Sequence, residues 1–166
     1  RLPVMIYNIP GRTAVNVAPK TIARIAKDCP NVIAVKEAAG SLDQVSEIIS
    51  LTPSSFTVLS GDDSLTLPMM AVGARGVVSV VANVAPKETQ ELCAAFLKGD
   101  IKKARALHLK LFPLVKALFI ETNPIPVKAA LAMMGLCRPE PRLPLTPLSA
   151  AARPTLRKAL KKLGLL

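Results

Sequence analysis

"VIAVKEAAG", residues Val32–Gly40, is the stretch whose reading decides the fold. Val32–Lys36 is a short apolar run rich in β-branched side chains, the composition of a strand buried on both faces. It ends on a lysine, and burying an ammonium is costly unless it is paired or neutralised. Three similar runs flank it: "PVMIY" (Pro3–Tyr7), "FTVLS" (Phe56–Ser60) and "GVVSV" (Gly76–Val80). The four runs are separated by 15 to 24 residues. Hairpins need far less, whereas parallel strands joined by crossover helices need about this much.

The connecting segments carry helix signals. Pro19 suits the first turn of "PKTIARIAKD", with Ile22, Ile25 and Ala26 on one face. Ser41 followed by Gln44 makes a capping-box pattern. Asp63 can cap "SLTLPMMAVG", which Gly73 closes and Pro68 bends or shortens. The pattern βαβαβαβ predicts an α/β fold with right-handed crossovers. After Val80 the strand signals stop. Helices are expected over Pro86–Lys98, from Asp100 to about Phe119 with an interruption at Pro113, over "NPIPVKAALAMMG" and at the C-terminus after a Pro-rich connector.

The 166 residues are enough for one domain with a real core. Hydrophobic residues make up 51% and the mean hydropathy is +0.40, which fits a doubly covered sheet or a partner surface. Aromatic residues are 3%, so the core must be aliphatic. The net charge of +11 invites a nucleic-acid role. The cations are scattered along helix faces without a base-stacking set or a known binding motif, so a solvated basic face is the preferred reading. The densest cluster, Arg153–Gly164, reads as an amphipathic surface helix. Cys29, Cys93 and Cys137 have no metal or redox spacing, and His108 stands alone, so no metal site is expected. A reducing, cytoplasmic compartment fits the cysteine usage. The most apolar stretch, Leu65–Ala85, is broken by Pro, Gly, Arg and Asn, which argues against a membrane span. The chain enters a strand almost at once after Arg1, which reads as the middle of a longer protein.

Strand alternation places the chemistry. Val32, Ala34 and Lys36 share one face, and Ile33, Val35 and Glu37 the other. Met5 and Tyr7 share a face opposite Val4 and Ile6. In a barrel, Tyr7 and Lys36 project inward at the carboxyl ends of their strands, where α/β folds place their sites. An amine desolvated in such a cavity is disfavoured in its charged form, and the neutral amine adds to a carbonyl to give a Schiff base. Tyr7 can relay protons to it, and Arg12 in "YNIPGRT" can clamp a carboxylate. From the residues alone, a first exposed lysine, a packed tyrosine and a loop arginine are the commoner readings. Asp62 and Asp63 read as a turn and a cap, having no His or third acid nearby for a metal.

At these residues the sequence resembles a known family. "IYNIPGRT", "VIAVKEAAG", "LSGDDSLTLPMMAVGARGVVSVVANV", "FIETNPIPVKAALAMMGL" and "RLPLTPLS" are similar, in order, to the dihydrodipicolinate synthase family. The resemblance implies the second half, strands 5 to 8, of a (β/α)8 TIM barrel followed by a C-terminal helical appendage. Residues 1–98 correspond to the half-barrel and 99–166 to the helical region. It implies a lyase that condenses pyruvate with aspartate 4-semialdehyde in lysine and diaminopimelate biosynthesis, with no cofactor. By resemblance, Lys36 is the Schiff-base lysine, Tyr7 the proton-relaying tyrosine and Arg12 the receiver of the semialdehyde carboxylate. Val78 matches a position whose backbone contacts pyruvate, and Gly61 and Asn83 line the pocket. Leu42 and Val72 fall at a subunit contact of the family, whose members are tetramers, so a homo-oligomer is expected. No nucleic-acid or membrane partner is implied.

The resemblance covers four strands of eight. The Gly-Thr-Thr-Gly-Glu-type segment, with its hydroxyl partners for Tyr7 and its pyruvate-carboxylate site, is absent, as is the neighbouring subunit's tyrosine. The chain is therefore expected to be a fragment with little or no activity alone, exposing strand edges and an apolar interior. Two other readings compete with the leading one. The first is another pyruvate aldolase such as N-acetylneuraminate lyase, against which Asn8 and Arg12 favour an acceptor carrying its own carboxylate. The second is a non-catalytic basic half-barrel that binds an anionic polymer.

Overall fold

Three of the four apolar runs form strands: β1 (Val4–Asn8), β2 (Val32–Glu37) and β3 (Thr57–Ser60). The computed structural model describes residues 2–166. The strands pair in parallel in the order β1-β2-β3. Helices α1 (Pro10–Thr13) and α2 (Pro19–Asp28) lie between β1 and β2, and α3 (Leu42–Leu51) between β2 and β3. The expected βαβαβ order is present. The fourth run departs from expectation, because Val77 makes a single parallel bridge to Ser60 in place of a strand. Three backbone bonds join it to β3: Arg75 N to Val58 O at 2.9 Å, and Ser60 N to Gly76 O and Val78 N to Ser60 O, both 2.8 Å.

The register slips between Val4 and Met5, where Val4 faces Val32 and Met5 already faces Ala34. The extra residue on β2 breaks the alternation expected from sequence. Val32 packs with the helix-facing core, while Ile33 is 49% exposed. Val4, expected against helices, also stays exposed. Beyond the slip the alternation holds. Val35 and Val58 join Ile22 of α2, Val45 and Ile48 of α3, and Met69 in the core, with Phe56 its one aromatic member.

Local signals explain most helix ends. Pro19 opens α2 as predicted. The Ser41 hydroxyl accepts from Gln44 N at 3.2 Å and caps α3. The cap at the third strand's end is Asp62, not Asp63: its carboxylate accepts from Ser64 N at 2.9 Å and starts a 3-10 turn, Asp63–Leu65. Helix α4 (Thr66–Ala71) follows, shorter than the stretch expected, with Pro68 in its first turn, where no amide donor is needed.

The chain divides into two compact units, Arg1–Ser79 and Val80–Leu166. The second holds α5 (Pro86–Leu97), α6 (Ile101–Leu118), α7 (Ile125–Met133) and α8 (Arg153–Lys162). Helix α6 runs unbroken through Pro113, contrary to the expected interruption. A mid-helix proline costs about 3 kcal/mol. Leu107, Leu111, Leu114 and Leu118 are buried on either side of it, at roughly 1.5–3 kcal/mol each, and outweigh that cost. Fifteen of the 22 Lys and Arg residues lie in this helical unit, against five of the 11 acids. The unit that carries Lys36 is therefore close to neutral.

Candidate active site

Tyr7 and Lys36 are direct partners across the parallel β1–β2 pair, each one residue before the end of its strand. The Lys36 Nζ lies 3.8 Å above the centre of the Tyr7 ring. An ammonium in this position is held by the ring quadrupole. Lys36 is half-buried and Tyr7 is 47% exposed, so both remain within reach of a solute. The amine rests on the ring face, and it must turn off that face to attack a carbonyl.

Gly61 closes the third side. Its amide donates to the Glu37 carbonyl at 2.7 Å, which draws the turn after β3 across the end of β2. A Cβ at this position would lie 2.7 Å from Ala38 Cβ, 3.1 Å from the Glu37 carbonyl oxygen and 3.2 Å from Lys36 Cε. Only glycine allows the backbone this close to the lysine. The structure thus brings Tyr7, Lys36 and Gly61 together.

The other predicted residues are placed separately. Arg12 stands exposed on α1, the single turn that follows β1. Val78 is next to β3, its amide donated to Ser60 O. Asn83 belongs to the second unit, where its Nδ2 donates to Val80 O at 3.0 Å. Asp63, read from sequence as a cap, is buried and accepts a hydrogen bond from the Ser79 hydroxyl. Among the described residues no cluster of His, Cys, Asp and Glu is arranged to hold a metal, and no helix is long and apolar enough to cross a membrane. Burial pushes the Cys93 thiol up, which lowers its thiolate fraction. Two clefts of about 210 and 250 Å³ lie elsewhere, one around Ile49 and Phe56, the other around Met133 and Cys137. Neither is lined by Lys36 or Tyr7, and neither gathers polar groups toward a common point.

Sequence reasoning passed over Glu37. Its side chain is 1% exposed and accepts from Asn8, Gln44 and the amide of Ala39. The signal was available: alternation put a glutamate on the same face as Val35, toward the helices, and a buried carboxylate needs partners.

Comparison with known proteins bears on this arrangement. The chain matches the model of the dihydrodipicolinate synthetase family over residues 1–163. It is 52% identical over 165 residues to the 4-hydroxy-tetrahydrodipicolinate synthase of Pelobacter propionicus, covering 99% of this chain and 57% of that protein. Among solved structures, the dihydrodipicolinate synthase of Thermotoga maritima superposes with a TM-score of 0.97 at 52% identity, over 99% of this chain and 57% of that one. The chloride-inhibited synthase of Acinetobacter baumannii, solved in complex with pyruvate, superposes at 0.95 with 42% identity, over 100% and 57%. The chain thus spans little more than half the length of its relatives. Their fold is the TIM barrel, and the parallel strands with their crossover helices make up part of one, followed by a helical part. On the family model and these relatives together, the chain belongs to the dihydrodipicolinate synthetase family.

Proposed function

We propose that these residues are the lysine-bearing part of a longer enzyme that condenses pyruvate with aspartate 4-semialdehyde. The observation that carries the reading is the Lys36 amine, 3.8 Å over the Tyr7 ring at the ends of adjacent parallel strands. In α/β barrels this end of the sheet is where chemistry is done. The half-barrel is read as residues 1–98 and the helical region as 99–166.

The steps follow from the chemistry of a strand-end amine. The neutral Lys36 nitrogen adds to the pyruvate carbonyl, and loss of water gives an imine. The imine draws electrons from the methyl group, and Tyr7 takes part in removing that proton, leaving an enamine. The enamine carbon attacks the aldehyde of the second substrate, whose carboxylate Arg12 receives. The amino group of that substrate then closes onto the imine carbon and expels the Lys36 amine. Val78 contributes its carbonyl to the pyruvate pocket, since its amide is already donated to Ser60. Gly61 leaves room for Lys36. Every bond change is accounted for by addition, elimination and proton transfer, with water and the Lys36 amine as leaving groups, so no cofactor is invoked.

The relatives' length supports the view that the isolated 166 residues lack a complete site and are inactive alone. Leu42 and Val72, both exposed, are read as part of a subunit contact in a homo-oligomer. A cytoplasmic location accords with the reading. A coupled assay on the protein from its complete reading frame tests the function. Turnover with pyruvate and aspartate 4-semialdehyde is expected, and a preference for a sugar aldehyde acceptor would overturn the assignment in favour of an N-acetylneuraminate lyase type.

A further inference from the structure

On the face of β1 and β2 turned away from Lys36, four polar side chains close a network whose directions are all set by backbone donors. The Val17 amide donates to Asn8 Oδ1 at 3.0 Å, so the Asn8 Nδ2 must point the other way. That nitrogen donates to Asn16 Oδ1 at 2.9 Å and to both Glu37 oxygens at 3.0 and 2.9 Å. Asn16 Nδ2 is then free to donate to Gln44 Oε1 at 2.8 Å. The Gln44 Nε2 in turn donates to Asn16 Oδ1 at 3.1 Å and to Glu37 Oε2 at 3.2 Å. The Ala39 amide donates to Glu37 Oε1 at 2.7 Å. Both oxygens of Glu37 face donors alone. A carboxylate, which only accepts, fills this place, and a glutamine amide cannot.

The network spans the loop that carries Arg12. Asn8 sits at the loop's start, Asn16 and Val17 at its end, and Glu37 beside Lys36 on the neighbouring strand. Within the loop Ala14 has φ +57, a left-handed conformation that few residues other than glycine adopt, so the surroundings must hold it. We propose that Glu37 is a positioning residue: by accepting at both oxygens it locks the Arg12 loop to the strand bearing Lys36 and so sets the seat of the acceptor aldehyde. This rests on the roles given above to Lys36 and Arg12.

The test compares Glu37→Gln and Asn16→Ala in the protein from its complete reading frame. Asn16 is exposed, so its variant keeps the test open if Glu37→Gln fails to fold. Both variants should still trap pyruvate on borohydride reduction. The KM for the aldehyde should rise about tenfold while that for pyruvate stays within about twofold, as expected when only one substrate's seat is moved. The Val17 amide should exchange with solvent about tenfold faster, since its acceptor, Asn8 Oδ1, is no longer held in one orientation by Asn16 and Glu37. A merely structural role would lower thermal stability without splitting the two KM values. Equal losses for both substrates, or an unchanged Val17 amide, overturn the proposal and leave the functional reading standing. A wild-type protein that traps no pyruvate defeats that reading and the positioning role with it.

Discussion

The same two strands present opposite faces of very different character. On one face Tyr7 and Lys36 meet through a single ring contact, and both side chains reach solvent. One residue further on, Asn8 and Glu37 are paired in the same register and are sealed in, with every described polar atom of the pair engaged. A reacting amine has to move, first off the ring and then onto a carbonyl, so few contacts hold it. Its backbone must not move, and the buried network beneath holds that. Reactivity and rigidity are separated by one residue step along a strand.

The comparison predicts that the two faces fail differently. The largest effect belongs to the open face. Tyr7→Phe keeps the ring under Lys36 but removes the relay, so kcat should fall roughly 10²–10⁴-fold with little change in melting temperature. A normal kcat would remove Tyr7 from the mechanism. Gly61→Ala forces a carbon into the space beside Lys36 Cε, and a lysine moved by about an ångström should lose roughly a hundredfold in kcat/KM. A crystal structure of that variant with Lys36 unmoved would contradict the close-approach argument. On the sealed face, Glu37→Leu strands the Ala39 amide and the Asn8 N–H that Asn16 does not accept, at about 1–3 kcal/mol for each group left unpaired. Denaturant unfolding should show the loss, and an unchanged midpoint would mean that the network carries no stability.

The smallest effect lies in the helical unit. Burial lowers the His108 pKa below its ordinary 6.5. The unfolded chain therefore binds the proton more readily, and stability present above that value is lost as pH falls through it toward the lowered folded value. His108 is half-exposed and solvent screens it, so the loss should be slight. Melting curves of wild type and His108→Gln should diverge only below about pH 6.5.

Much of the open face was legible in the sequence. Period-two alternation carried Tyr7 and Lys36 to one face, and parallel pairing made them neighbours. The sealed face was not, because Asn8, Asn16, Glu37 and Gln44 are joined across three elements and no spacing rule links them. Gln44 shows why. The capping pattern assigned its side chain to Ser41, yet it turns to Asn16 and Glu37 and leaves the cap to the Ser41 hydroxyl. The cap expected of Asp63 is made by Asp62, and Asp63 accepts from Ser79, because adjacent acids cannot be told apart by a pattern that counts residues. The bulge opposite Val4 had no turn residue to announce it, and it inverted the expected faces of Val32 and Ile33. The fourth strand shrank to one bridge although its composition is that of a strand, since pairing depends on a neighbour and not on composition alone.

The central claim is that Lys36 is the amine that holds pyruvate. Borohydride reduction of the protein from its complete reading frame in the presence of pyruvate, followed by peptide mapping, reads this directly. The account predicts one reduced adduct, on the peptide containing Lys36, and none in Lys36→Ala. An adduct that persists in Lys36→Ala, or that maps to another lysine, contradicts it.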